Sequence, residues 1–195
     1  MPHSPAESPE LMTSDRDRLA ALLRERSLRR GDFVLASGAH SNYYIDARTT
    51  TMSGAGQQLI GRLGLALIDD AGWDASSIGG LTLGADPVAY AVAHAAAFAG
   101  RPLDAFTVRK EAKQHGSGRR IEGVFTKGMR VIVCEDTITS GMSALNAITA
   151  VKEAGGVVSG VLALVDREEG GRAAIELKGY EVRTVFTAAE LLKDL

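Results

Sequence analysis

Residues 131–143, VIVCEDTITSGMS, run four apolar side chains into two adjacent carboxylates, Glu135 and Asp136, and then into a hydroxyl-rich turn around Gly141. Like charges at the end of a buried run repel and must stay hydrated, so their placement asks for a partner. An ionised carboxylate only accepts hydrogen bonds, and the pair therefore suits either the vicinal hydroxyls of a sugar or the water shell of Mg2+. The turn does different work. Thr137, Thr139, Ser140 and Ser143 offer hydroxyl donors, Ile138 and Met142 lend backbone amides, and Gly141 lets the main chain come close to a ligand. If a strand precedes this turn and a helix follows, its free N–H groups lie at the carboxyl edge of a sheet and favour an anion such as a phosphate monoester. Phosphate on the amides with a diol on the acids describes a ribose 5-phosphate. A ligand-free alternative stands beside it, in which Ser140 simply caps the following helix. The segment is neither GxxxxGK nor GxGxxG, so it is not a nucleotide loop of those kinds.

The elements that must position these groups follow from periodicity. SDRDRLAALLRERS carries Leu19, Leu22 and Leu23 at helical spacing behind Ser14 as a cap. DFVLASG and NYYIDAR are short β-prone runs around a turn-rich GAHS, which predicts a small flap. From there strands and helices alternate: a helix ending at Gly72, a strand IGGLTLG, a helix with Pro87 in its first turn and a strand LDAFTVRK. The strand MRVIVCED, the helix SGMSALNAITAVKEAGG, the strand VVSGVLALVD, a short helix GRAAIELKG and a last strand YEVRTVF complete the series. That rhythm predicts an α/β fold with a twisted, mainly parallel sheet covered by helices on both faces.

Composition bounds the rest. With 195 residues and 45% apolar side chains, the chain suits one well-buried domain over 15–195, with a hood or flap over about 15–50 and a core over about 51–195. Residues 1–14 hold three prolines and read as a disordered leader. The net charge of -2 is spread as mixed sign and gives no reason to expect nucleic acid or membrane as a partner. No apolar stretch is long enough to span a bilayer, and Cys134, the single cysteine, reads as a core residue, so a cytoplasmic protein is expected.

VIVCEDTITSGMSAL resembles the signature that type I phosphoribosyltransferases use for phosphoribosyl pyrophosphate (PRPP). VRKEAKQHGSGRRIEG, residues 108–123, resembles the catalytic loop of the orotate phosphoribosyltransferases, and LASGAHSNYYIDAR and LVDREEGG are similar to that family too. The likeness runs from about residue 30 to 175. It implies Mg2+-dependent transfer of ribose 5-phosphate from PRPP to N1 of orotate, giving orotidine 5-phosphate and pyrophosphate in UMP biosynthesis. Alternatives left open are a phosphoribosyltransferase for a purine or uracil, and a non-enzymatic PRPP sensor.

The loop makes chemical sense beside that resemblance. Arg109, Lys110, Lys113, Arg119 and Arg120 gather positive charge, and His115 can add more. Expelling pyrophosphate builds negative charge on the leaving group, which cations stabilise. Gly116 and Gly118 suit a lid that opens for exchange and closes against water. By resemblance, Arg109, Lys110, Lys113 and His115 bind pyrophosphate and catalyse, in a loop that closes over the partner site of a homodimer. Glu135 and Asp136 hold the ribose hydroxyls, and Thr137 to Ser143 wrap the 5-phosphate. Arg167 pairs with the orotate carboxylate, for which a guanidinium fork is well shaped. Thr139 can touch the base, and Tyr43, Tyr44 and Ile45 either cover its face or pack in the core. The chain departs from the family twice: Ala36 stands where many members have lysine, and the turn after IGGLTLG carries Asp86 instead of a lysine. Asp86 either caps the next helix or acts through Mg2+, as Asp136 could; no direct protein ligand to the metal is expected.

Overall fold

The computed structural model describes residues 9–34, 38, 40–111 and 120–193, with backbone alone for 9–13. Ala36, Lys113, His115, Gly116, Gly118 and Arg119 therefore lie outside the described residues. Fifteen elements follow in order: α1 (Pro9–Arg26), β1 (Leu28–Val34), β2 (His40–Ile45), α2 (Arg48–Thr51), α3 (Gly54–Asp70), β3 (Ser77–Leu81), α4 (Ala85–Phe98), β4 (Asp104–Val108) and β5 (Ile121–Gly123). After these come β6 (Arg130–Ile138), α5 (Met142–Glu153), β7 (Val157–Asp166), α6 (Gly171–Glu176), β8 (Val182–Thr187) and α7 (Ala188–Leu192).

Strands β3 to β8 form a six-stranded sheet in the order β5-β4-β3-β6-β7-β8. Every pairing is parallel except β4 with β5 at one edge. Side chains alternate across the pleat, and the sheet is apolar on both sides for that reason. Ile132, Cys134, Leu162 and Leu164 join one core with Leu59, Ile60 and Val88. Val131, Val133, Val161 and Ala163 join the other with Phe106, Ile148 and Val151. Each large side chain fully removed from water contributes about 1.5–3 kcal/mol, so these two layers dominate the stability of the sheet. Cys134 is fully buried, with its Sγ donating toward the Ala85 carbonyl at 3.6 Å.

The elements extend the sequence reading in specific places. Helix α1 begins at Pro9, five residues before the expected cap Ser14, because proline's fixed φ suits a first helical turn. Its Leu19 and Leu23 belong to the main core, and Arg24 donates to the Leu191 and Glu190 carbonyls at 2.9 and 3.0 Å. The hood is thus continuous with the core through α1, and only the β1–β2 ribbon stands apart as a second, two-stranded antiparallel sheet. Strand β6 runs through Thr137 and Ile138, two residues past its expected end. The unforeseen α7 carries a capping box, Thr187 with Glu190.

Candidate active site

Strand order reverses between β3 and β6, since β4 lies beyond β3 on one side and β7 beyond β6 on the other. In open α/β sheets a crevice forms outside the strand ends at that point. The chain turns after β3 and after β6 enter it together. A Cβ at Gly84 would lie 2.6 Å from Asp136 Oδ1, so the β3–α4 turn passes directly under the second acid.

Parallel pairing of β6 with β7 brings the next group in. Ile138 faces Asp166, and the Arg167 N–H donates to the Ile138 carbonyl at 2.9 Å. Residues 28 apart in sequence thereby become neighbours at one edge. Beyond the strands the two loops touch through their backbones. A Cβ at Gly171 would sit 2.2 Å from the Thr139 carbonyl oxygen and 2.6 Å from the Gly141 N, so only glycine permits this approach. Gly141 holds the left-handed conformation (φ 78°) at the cap position of α5, with no side-chain cap bond. The first-turn amides of α5 therefore lack a side-chain acceptor, which is the condition for anion binding at a helix start. This overturns the reading of Ser140 as a cap.

A cavity of about 890 Å³ opens beside these loops, lined by Tyr44, Thr139, Ser140, Arg167 and Glu169 among others. Arg167 is 6% exposed, and its Cζ lies 5.0 Å from the centre of the Tyr43 ring. Tyr43 thus supports the arginine from below while Tyr44 faces the cavity. Glu169 Oε1 lies 2.7 Å from Arg167 Nη2, but at an angle that leaves Nη2 and Nε without a hydrogen bond. Glu135 Oε1 and Thr137 Oγ1 are buried in the same unpaired state. Orphaned buried polar atoms are scarce in native proteins, and four at one crevice mark it for a polar ligand.

Some expected residues sit elsewhere. Ile138 is 1% exposed in the core and offers a ligand no side chain. Asp86 does not cap α4, because Gly84 holds that position and Asp86 lies inside the first turn. Its Oδ2 accepts from Thr82 Oγ1 at 2.6 Å and its Oδ1 from Thr107 Oγ1 at 2.9 Å, so both oxygens are engaged. Met142 and Ser143 open α5 with exposed side chains. Arg109 and Arg120 stand at the feet of the cationic loop, where the Arg109 N–H donates to the Arg120 carbonyl at 2.8 Å and Arg109 Nε lies 3.3 Å from Glu122 Oε1. Lys110 follows that foot, and the segment between is outside the described residues.

The sequence reading missed Arg26, Arg29, Phe33, Asp46 and Thr49, all of which line the cavity. Among the described residues neither Arg26 nor Arg29 forms an ion pair, so they bring positive charge to the pocket. The available signal was register: Arg29 pairs with Tyr44 across the ribbon.

Burial pushes the Glu135 carboxyl well above its ordinary range, with the Asp136 charge adding to the rise. Asp136 is also raised by burial, opposed by the Thr137 N–H that donates to Oδ1 at 2.8 Å. A raised carboxyl pKa makes the folded state hold protons that the unfolded state releases, so its stabilising contribution is complete below about pH 4.5 and is lost as pH rises through the folded value. Glu135→Gln is expected to melt a few degrees higher than the parent at pH 7–8, at about 2–4 °C per kcal/mol for a chain of this size, with the difference vanishing near pH 4.5. Melting curves of both proteins that stay parallel from pH 4.5 to 8 would refute this account of Glu135.

No family model matches the chain. The orotate phosphoribosyltransferase of Mycobacterium bovis (strain BCG / Pasteur 1173P2) is 50% identical over 180 residues, covering 92% of this chain and 98% of that protein. A crystal structure of the Mycobacterium tuberculosis H37Rv orotate phosphoribosyltransferase with Fe(III) dicitrate superposes with a TM-score of 0.82 at 50% identity, covering 91% of this chain and 99% of that one. The same enzyme in complex with PRPP superposes with a TM-score of 0.78 at 47% identity, over 91% and 98% of the two chains.

Proposed function

The chain belongs to the orotate phosphoribosyltransferase family, and from that premise we propose how its residues divide the work of moving ribose 5-phosphate from PRPP to N1 of orotate. The 5-phosphate rests on the open amides that begin α5 and on the hydroxyls of Thr139 and Ser140. Glu135 and Asp136 take the ribose diol, for which Glu135 Oε1 is already without a partner. Arg167 takes the orotate carboxylate through its unsatisfied Nε and Nη2, and Tyr44 lies along the base. Orotate is an anion, so no covalent nucleophile is needed; the protein aligns the reactants and neutralises the departing pyrophosphate. Lys110, Lys113 and His115 supply that charge, with Arg109. The observation that carries the reading is the cluster of buried polar atoms without hydrogen bonds where β6 and β7 end.

Mg2+ fits this site as a companion of the substrate. Asp86 has both oxygens engaged and offers it nothing, whereas Asp136 has Oδ2 left to meet a bound water. When present, the metal offsets part of the pyrophosphate charge.

A homodimer with shared sites is supported by the outer face of α4. Tyr90, His94 and Phe98 fall on one stripe; Phe98 is 82% exposed and packs edge-on against His94 at 4.8 Å. Tyr90 reaches Thr107, two residues before the cationic loop. An exposed apolar stripe at the root of that loop suits a second copy of the chain. A cytoplasmic enzyme is in keeping with the single buried cysteine and with the finding that no helix among the described residues is long and apolar enough to cross a membrane.

The direct assay follows orotate absorbance. Purified protein with PRPP and Mg2+ is expected to deplete orotate, with uracil and hypoxanthine turned over at least about a hundredfold more slowly, because a base without a carboxylate forgoes the charge-assisted bonds that Arg167 offers. Equal turnover of uracil overturns the role given to Arg167, and no turnover of any base overturns the catalytic reading.

A further inference from the structure

Arg167 is not idle in the ligand-free protein, and the group that occupies it is chemically similar to the one it is proposed to receive. The Glu169 carboxylate lies 2.7 Å from Nη2, on a side chain about one-third exposed, whereas the arginine side chain is 5% exposed. Both line the same cavity. The backbone between them is held on each side. Glu168 takes a positive φ of 59°, its N–H donates to Asp166 Oδ1 at 2.9 Å, and its own Oε2 accepts from the Ala189 N–H at 2.9 Å. Past Glu169, Gly171 is wedged against the Thr139 carbonyl. With its Cα fixed and its head partly in solvent, Glu169 can leave Arg167 only by rotating its side chain.

The geometry points to Glu169 as a placeholder for the substrate carboxylate: a positioning residue that neutralises Arg167 in the empty site, yields to the orotate carboxylate, and returns as product leaves. This rests on Arg167 being the carboxylate partner. Two carboxylates competing for one guanidinium weaken each other, so Glu169 lowers the affinity for orotate and for its nucleotide. It leaves the affinity for PRPP alone. It also softens discrimination, since a neutral base binds without disturbing the Arg167–Glu169 pair, whereas without Glu169 that base would leave the buried guanidinium unpaired.

Glu169→Gln and Glu169→Ala, compared with the parent enzyme, test this. The KM for orotate and the Kd for orotidine 5-phosphate are expected to fall roughly three- to tenfold, the range of a partly buried ion pair. The KM for PRPP stays unchanged, kcat does not rise, and the preference for orotate over uracil increases. Ligand-free protein is expected to melt lower in both variants, with saturating orotidine 5-phosphate closing the gap. An unchanged or raised KM for orotate in both variants rejects the placeholder. Arg167→Met separates the two layers of the argument: if it leaves the KM for orotate unchanged, the carboxylate reading of Arg167 has failed, whereas a large rise in that variant with no effect at Glu169 rejects the placeholder alone.

Discussion

Replacing Lys113 by alanine is expected to cut kcat by about two to three orders of magnitude while changing the affinity for orotidine 5-phosphate by less than about threefold. The reason lies in where charge grows. Pyrophosphate carries the developing negative charge, and the nucleotide product contains no pyrophosphate, so a cation aimed at the leaving group matters to the transition state and not to the product complex. At the loop's feet, Arg109 already contacts Glu122, and Arg120 lends its carbonyl to the Arg109 N–H. Lys110, Lys113, His115 and Arg119 add their charge to that of these two arginines. Steady-state rates measured beside a titration with orotidine 5-phosphate provide the check, and comparable losses in both would remove the leaving-group role. The same variant probes the shared site. If the loop serves the partner's crevice, Lys113→Ala mixed with Arg167→Met re-forms one intact site per mixed dimer and recovers roughly a quarter of the parent activity.

Gly171→Ala is expected to lower kcat/KM by about a hundredfold or more, raising the KM for PRPP and for orotate together. Its new methyl would meet the Thr139 carbonyl at 2.2 Å and the Gly141 N at 2.6 Å, backbone atoms that cannot step aside alone. The turn after β6, proposed to hold the phosphate, and the Arg167 turn must then separate, and displacements of about 1 Å at reacting groups cost rates of this order. Gly170→Ala is the control. It carries the positive φ of 88° but has open space around it, so it costs about 1 kcal/mol of stability and little catalysis. A Gly171→Ala enzyme with kinetics like those of Gly170→Ala would show that the loops move independently.

Much of this site was legible in the chain. The apolar run ending in two acids predicted a buried strand, and β6 is that strand; its fully apolar character reflects burial on both faces. Arg167 was named through resemblance, and the pairing of Ile138 with Asp166 explains why a residue so distant lies beside the turn after β6. The ribbon was harder. Strand β1 begins at Leu28, ahead of the expected run, because five of its seven residues are exposed and no apolar alternation reports it. Arg29 was missed for the same reason, since a charged residue on an exposed strand looks like any solvated side chain until pairing reveals what it faces, and Arg26, the last residue of α1, looks like an ordinary basic helix end. Asp86 failed differently. An acid before proline at a helix start is the usual pattern of a cap, but the helix begins earlier, at Ala85, and two threonines from neighbouring segments claim the carboxylate. Local pattern cannot register such contacts.

Cys134, sealed between the sheet and α4, has a practical consequence. Burial raises its thiol well above the ordinary value, so it presents no thiolate to solvent reagents at neutral pH. The chain has no other cysteine. A thiol introduced at Ser117 is therefore the sole target for a maleimide dye, giving one fluorophore per polypeptide with no background to subtract. Whether the loop closes on binding PRPP, as Gly116 and Gly118 lead us to expect, can then be read as the presence or absence of an emission change, on an enzyme whose remaining side chains are untouched.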